Sequence, residues 1–123
     1  MPVKTEYKNI ASFITKDGSI IRELMHPSQH GVKNQSLAEA IVPSGVTTQL
    51  HRHPVSEELY YILEGQGLMT LGDQRFHVGV GDTVCIRPGT AHQISANGDT
   101  DLRFLCCCSP AYSHDDTELL KPE

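Results

Sequence analysis

Closely spaced turn signals constrain the fold of this chain more than any other feature of its sequence. Turns rich in Gly, Pro, Asn and Asp occur at 43–45, 72–73, 79–82, 87–90 and 97–99. The stretches between them are short and strand-like, and short strands with turns at this spacing are typical of an all-β sandwich or barrel. A length of 123 residues suits one domain. We therefore predict a single all-β domain spanning 1–123.

The strand signals divide this domain into three parts. N-terminal strands fall within 1–42, the central strands within 45–97, and the final strand and tail within 102–123. Gly72–Asp73 predicts a two-residue hairpin turn, and only 115–121 has mild helical character. In chain order, the predicted strands are 19–23, 36–42, 47–53, 58–63, 68–71, 74–78, 83–86, 92–95 and 102–108.

A group of His and Glu side chains in these strands has the chemistry of a metal site. His51 and His53 are two residues apart in a predicted strand, so alternation places both imidazoles on one face. Glu58 begins the next strand after a short turn, and His92 begins a later one. Imidazole and carboxylate suit one divalent ion such as manganese, iron, nickel or zinc. A strand histidine is more often a surface or core residue, however, and His-x-His alone is a weak signal.

The full spacing around these residues is more specific. Gly45 is followed after five residues by His51-x-His53, after four more by Glu58, and after six more by Gly65. A second run comprises Gly81, Pro88, Gly89 and His92. Together they resemble the two motifs of the cupin superfamily. Two positions depart from the family pattern: Arg87 replaces a proline, with Pro88 one place later, and Ala96 replaces an asparagine, with Asn97 beside it.

This resemblance implies a cupin double-stranded β-helix, which is a jelly-roll barrel made of two sheets. It also implies that His51, His53, Glu58 and His92 are the metal ligands and that the protein is often a dimer. The segments NQSLAEA, HRHPVSEELYYILEG and LCCCSPAYSHDDTEL are similar to small single-domain cupins of the cupin 2 type, often loosely labelled mannose-6-phosphate isomerase-like. That label is a weak guide to substrate, because function resides in the site and not in the fold.

Residues that alternate with the predicted ligands should line the same pocket. Gln49 would face inward with His51, and Tyr60 with Glu58. These two polar groups are our candidates for catalytic or ligand-orienting residues. Each has an equally plausible structural interpretation, as a hydrogen-bond partner of a ligand for Gln49 and as barrel filling for Tyr60. Arg22, in an early strand, could bind an anionic substrate at the barrel mouth, although exposure on the surface is the more common outcome.

Three functions are compatible with such a site. The first is a metal-dependent dioxygenase, isomerase, lyase or decarboxylase acting on a small oxygen-bearing molecule. In that case Tyr60 is the candidate base, although a tyrosine pKa near ~10 is poorly matched to neutral pH. The second is a non-catalytic module that binds a sugar-like molecule or an organic acid beside an anchoring metal. The third, a metal-free structural barrel, is the least favourable because buried polar groups need partners.

The net charge and the apolar pattern of the chain indicate its partners and its location in the cell. The net charge is −5 with no run of Lys or Arg, which argues against a nucleic-acid partner. The chain has no apolar stretch of membrane-spanning length and no apolar N-terminal signal region, so we expect a cytoplasmic protein with no membrane partner.

Cys106, Cys107 and Cys108 are expected to be reduced strand residues with no catalytic role, because neighbours on a strand point to alternating faces. Tyr61 should face outward and need cover, and a small barrel gains from pairing its open sheet edges, which together predict a homodimer formed through an outer sheet face or by N-terminal strand exchange.

Overall fold

Two antiparallel sheets form the chain in the computed structural model, which describes residues 2–121. The six-stranded sheet has the order β1-β2-β3-β10-β5-β8, and the five-stranded sheet has the order β11-β4-β9-β6-β7. Two single-turn 3-10 helices, Tyr7–Asn9 and His114–Asp116, complete the secondary structure of the described residues. The strands are β1 (Phe13–Ile14), β2 (Ile20–Met25), β3 (Ser36–Val42), β4 (His51–Arg52), β5 (Glu57–Glu64), β6 (Gly67–Leu71), β7 (Gln74–Val78), β8 (Thr83–Ile86), β9 (His92–Ala96), β10 (Leu102–Ser109) and β11 (Glu118–Leu119). The predicted all-β jelly-roll class is confirmed.

Every strand predicted from the sequence has a counterpart, and the hairpin turn is present because Leu71 of β6 pairs with Gln74 of β7. Three local predictions differ from the structure. The helical character expected at 115–121 is wrong: the tail forms the single-turn helix His114–Asp116 and then β11. The edge strand β1 was not predicted. The strand expected at 47–53 shrinks to β4, His51–Arg52.

The shortening of β4 changes which side chains face inward. Before His51 the backbone leaves regular pairing, since Thr47 makes an isolated bridge to Ser95 and the Gln49 N–H donates to the carbonyl of Asp17. The alternation predicted for this segment therefore stops at His51, and the Gln49 side chain is exposed rather than inward. The inward orientation expected for Gln49 is wrong for this reason.

Alternation holds well in the longer strands and builds the core between the sheets. On β5, Tyr60 and Ile62 are buried, whereas Tyr61 is 44% exposed, as expected for the outer face. Burying one large apolar side chain stabilises the fold by about 1.5–3 kcal/mol relative to leaving it in water. The largest fully buried side chains are Phe104, Ile62, Met69, Ile86, Ile94, Leu102, His92, Val42 and Cys108.

The outer face of the six-stranded sheet carries a cluster of charges. Glu39 of β3 accepts hydrogen bonds from Arg22 and Arg103, each at 3.1 Å, and from the Tyr7 hydroxyl at 2.8 Å. Arg22 also lies over the Tyr7 ring, 5.1 Å from its centroid. Arg22 is thus paired outside the barrel and does not reach the inner cavity. Among the described residues, no helix has the length and apolar character needed to cross a membrane.

Candidate metal centre

The four predicted ligands come together between the two sheets. His51 begins β4, His92 begins β9, and these two residues pair directly in the five-stranded sheet. His53 follows β4, and Glu58 lies on β5 of the six-stranded sheet, so the ligand set draws on both layers. All four side chains are buried, and His92 is completely so, at 0% exposure.

The atoms that would bind a metal converge on one point. The ligand nitrogens of His51, His53 and His92 all lie within 4.8 Å of one another. Glu58 Oε1 lies 3.3 Å from His53 Nε2 and 3.4 Å from His92 Nε2. These four groups can therefore reach one shared ion with small adjustments.

Backbone carbonyls fix the orientation of the imidazoles. The Nδ1–H of His51 donates to the Gln49 carbonyl at 2.8 Å, and that of His92 donates to the Thr90 carbonyl at 2.9 Å. His53 Nδ1 lies 3.2 Å from both the Asp116 carbonyl and the Thr117 hydroxyl. Because a carbonyl only accepts, Nδ1 carries the proton, and in the neutral ring Nε2 keeps its lone pair for a ligand bond.

Two inward atoms have no hydrogen-bond partner, which tests whether a metal fits here. Glu58 Oε1 and His92 Nε2 are both buried and unpartnered among residues 2–121. Burying polar atoms without partners is unfavourable, and a cation between them would satisfy both. The three imidazoles and one carboxylate match a borderline divalent metal. These residues therefore fit one divalent ion.

Electrostatics favours the protonation state that metal binding needs at Glu58 and at His51, but not at His53. Burial raises the pKa of Glu58, but the adjacent imidazoles of His53 and His92 outweigh burial and hold that pKa far below its ordinary value. Burial, followed by the neighbouring His92, lowers the pKa of His51. Burial also lowers the pKa of His53, but the Glu58 carboxylate raises it by more. Glu58 is thus an anion and His51 a neutral ligand at neutral pH.

The other oxygen of Glu58 has a partner that sequence reasoning missed. The Cys108 thiol donates to Glu58 Oε2, with a sulfur–oxygen distance of 3.3 Å. Burial, followed by the charge of Glu58, raises the pKa of Cys108, so the thiol keeps its proton. The alternation predicted for the cysteines is confirmed: Cys106 and Cys108 are buried on the inner face, while Cys107 is partly exposed on the other. Sequence alone did not show that this inner face is the wall of the metal cavity.

The cavity beside the ligands also contains acidic groups that the sequence analysis did not select. Asp17 Oδ2 lies 3.6 Å from His51 Nε2, and its Oδ1 accepts hydrogen bonds from the backbone and hydroxyl of Ser19. Glu23, on β2, lines the same cavity. The alternation of Ser19, Ile21 and Glu23 could have placed Glu23 inside, but Asp17 lies in a turn, where no periodic signal exists.

The two predicted catalytic candidates lie in different places. Tyr60 lines the cavity, 6.2 Å from His92 between ring centroids. Burial, followed by the charge of Glu58, raises the pKa of Tyr60 well above its ordinary value, so its phenol stays protonated at neutral pH. The Gln49 side chain lies outside the cavity, and only its backbone carbonyl contacts a ligand.

Comparison with known proteins identifies related chains and folds. The sequence profile described as Cupin domain matches residues 37–108. An uncharacterized protein, MJ1618, from Methanocaldococcus jannaschii is 58% identical over 119 residues, covering 97% of this chain and 95% of that protein. The oxalate-binding protein of Thermotoga maritima is 33% identical over 84 residues, or 68% of this chain and 65% of that protein. Among solved structures, the polyketide cyclase RemF from Streptomyces resistomycificus superposes with a TM-score of 0.83 at 21% identity, covering 100% of this chain and 88% of RemF.

Proposed function

Because this chain belongs to the cupin-domain family, we propose that it is a metal-dependent enzyme acting on a small oxygen-bearing molecule. One divalent ion, manganese, iron, nickel or zinc, would be held by His51, His53, Glu58 and His92. The observation that carries this proposal is the pair of buried, unpartnered atoms, Glu58 Oε1 and His92 Nε2, facing each other at 3.4 Å. When bound, the metal supplies Lewis-acid polarisation of a substrate oxygen or activation of dioxygen.

Residues of the cavity would bind and orient the substrate. Tyr60, kept protonated by burial, would donate a hydrogen bond to a substrate oxygen rather than act as the base. Asp17 is better placed to accept a proton, because its Oδ2 faces the ligand cluster while Ser19 holds its Oδ1. Gln49 would contribute through its carbonyl, which orients His51.

The reaction class follows the relatives in outline. A bound metal can support dioxygenase, isomerase or lyase chemistry on a small carbonyl, enol or hydroxy compound. The names of the compared proteins include an oxalate-binding protein and a polyketide cyclase. Both names are consistent with a small oxygen-rich ligand, and we extend only that general feature to this chain.

A measurement of metal content tests the proposal directly. Protein would be purified without added metal, reloaded with each candidate ion and analysed for its elements. The parent should retain close to one ion per chain, whereas a His51→Ala, His53→Ala double variant should retain almost none. His77→Ala is the matched control, because His77 is exposed on β7. Equal metal content in the parent and in a folded double variant would refute the site.

A non-catalytic binding module is the second candidate. The observation that favours it is the raised pKa of Tyr60, which removes the base expected from the sequence. Thermal-shift screening of the metal-loaded protein against small acids, sugars and enols, followed by product analysis for each binder, separates the two functions. Binding with turnover supports the enzyme, and binding with unchanged ligand supports the module.

Assembly and location are also proposed. We propose a homodimer that covers Leu59 and Tyr61, which are both exposed on the outer face of β5. The four cysteines are free, and Cys85 is exposed, which suits the reducing cytoplasm.

A further inference from the structure

Glu23 lines the cavity without any protein group to satisfy it. Its side chain belongs to β2, only 8% of the residue is exposed, and its Oε2 atom has no hydrogen-bond partner among residues 2–121. An ionised oxygen in such a place costs about 1–3 kcal/mol relative to one that has a donor. Natural structures rarely keep such a group unless something else fills the role of donor.

Within residues 2–121, no cationic side chain supplies that donor. The imidazole of His26 acts on Glu23, but its Nδ1 accepts from the Ser28 N–H at 3.0 Å while its Nε2–H donates to the Tyr112 carbonyl at 2.7 Å. Both ring nitrogens are therefore engaged by other partners, and neither donates to Glu23. Arg22, next to Glu23 on β2, points to the other face and pairs with Glu39.

The cavity as a whole also has an excess of negative charge. Among its described lining residues there is no Lys or Arg, while Asp17 and Glu23 add two carboxylates to the ligand set. A divalent ion bound by three neutral histidines and Glu58 leaves one excess positive charge, which these two carboxylates outweigh. A dianionic ligand would be attracted by the metal but repelled by these two carboxylates.

We infer that this cavity binds a small molecule that contacts the metal through oxygen at one end and donates a hydrogen bond to Glu23, from a hydroxyl or ammonium group, at the other. Dicarboxylates such as oxalate and phosphorylated sugars are disfavoured, because their distal charge would face Glu23 and Asp17. This inference rests on the proposed metal site and adds a substrate class to it. Glu23 is thus a specificity-determining residue that lies on the sheet opposite His51 and His92.

A matched set of hydroxamates tests the inference. All members share a metal-chelating head and differ only at the far end, which is alkyl, hydroxyl, ammonium or carboxylate. Their affinities for the metal-loaded protein would be measured by calorimetry at about pH 8, far above the ordinary pKa of a carboxyl group. The variants are Glu23→Gln, which keeps shape and loses charge, and Glu57→Gln, which removes an exposed carboxylate at the start of β5.

We expect the parent to bind the ammonium and hydroxyl members more tightly than the alkyl member, and to bind the carboxylate member most weakly. The ammonium ligand should bind about tenfold or more tightly than the carboxylate ligand, the usual scale for a charge-assisted hydrogen bond. Glu23→Gln should collapse that ratio, and Glu57→Gln should leave it unchanged. Equal affinities across the set, or tighter binding of the carboxylate member, would overturn the inference and leave the metal site intact. Failure of every hydroxamate to bind the loaded protein would overturn the proposed function and the inference with it.

Discussion

At the residue scale, the two oxygens of Glu58 have different partners. Oε1 faces the imidazoles of His53 and His92, while Oε2 accepts a hydrogen bond from Cys108. The thiol thus holds the carboxylate in a rotamer that would present its other oxygen to a bound ion. Second-layer contacts of this kind orient ligands, and their loss weakens metal sites.

Replacing Cys108 should separate this hydrogen bond from simple packing. Cys108→Ala leaves Glu58 Oε2 buried without a donor, so we expect the free energy of unfolding of the metal-free protein to fall by about 1–3 kcal/mol. Cys108→Ser restores a donor and should recover part of the loss. Cys106→Ala is the control, because it removes a buried thiol on the same face that does not bond to Glu58.

Urea unfolding measures these differences, and elemental analysis shows whether the ion is retained. We expect metal content to survive in every folded cysteine variant, including one that replaces Cys106, Cys107 and Cys108 together. Equal destabilisation by Cys106→Ala and Cys108→Ala would show that the thiol–carboxylate bond is unimportant. Loss of metal in a folded triple variant would place a ligand on β10.

Glu23 should make stability depend on pH in a defined direction. Burial raises the pKa of Glu23 above its ordinary value of 4.5, against a smaller opposing effect from His26. The folded state therefore binds this proton more tightly than the unfolded state does. The resulting stabilisation is fully present below pH 4.5 and is lost as the pH rises through the folded-state pKa.

The side chain introduced by Glu23→Gln cannot lose a proton. The stability of this variant should therefore increase relative to that of the parent as the pH rises. In the metal-free protein we expect the two to be similar in acid and the variant to be more stable by on the order of 1 kcal/mol at neutral pH. Urea unfolding across that range measures the difference, with Glu57→Gln as the control for a surface carboxylate. A Glu23→Gln difference that does not change with pH would contradict the assignment.

At the element scale, the C-terminal tail braces the loop that joins two ligand strands. The carboxylate of Asp116 accepts hydrogen bonds from the N–H groups of Val55 and Ser56, each at 2.9 Å, and its carbonyl lies 3.2 Å from His53 Nδ1. Glu118 and Leu119 of β11 then pair with β4. The tail therefore holds both the backbone between His53 and Glu58 and the ring of one ligand.

Removing the Asp116 carboxylate should loosen that loop. We expect Asp116→Ala to lower the free energy of unfolding by about 1–3 kcal/mol, because two backbone donors lose their acceptor, and to weaken metal affinity by about tenfold or more. Asp115→Ala is the matched control, since the Asp115 side chain makes no hydrogen bond or ion pair with other described residues. Competition with a chromophoric chelator measures the affinity, and identical results for the two variants would exclude a role for the brace.

The same scale shows how far sequence reasoning extends. The convergence of His51, His53, Glu58 and His92 could be predicted because alternation and loop spacing are local properties that the sequence displays directly. The hydrogen bond from Cys108 to Glu58 could not be predicted, because it depends on the register of β10 against β5 and joins residues that are fifty positions apart. The strands β1 and β11 are only two residues long and exist through their partners, so they carry no periodic signal of their own.

At the scale of the whole molecule, the outer face of the six-stranded sheet is suited to pairing. Register places Leu37, Cys107, Leu59 and Cys85 in one row across β3, β10, β5 and β8. Leu59 is 41% exposed, and Tyr61 lies on the same face two residues along. A continuous apolar row of this kind on an otherwise acidic chain marks a protein contact more often than an ordinary surface.

Charge placed in this row should disrupt the proposed dimer. Sedimentation at micromolar concentration should give about twice the chain mass of 13.6 kDa for the parent. A Leu59→Glu, Tyr61→Glu double variant should sediment as a single chain, since burying two carboxylates in a symmetric interface is unfavourable. Val80→Glu is the control, because Val80 is exposed in the turn before β8. A parent that sediments only at 13.6 kDa would disprove the dimer.

The division of the ligands between layers has a mechanical consequence. No strand of one sheet pairs with a strand of the other among residues 2–121, yet His51 and His92 belong to one layer and Glu58 to the other. An ion held by these residues would link the two sheets, which otherwise contact each other through side-chain packing and connecting loops. Removing that ion would let the two sheets separate more easily at that end. We therefore expect the rate of ion exchange to depend on how often the sheets separate as well as on the strength of the ligand bonds.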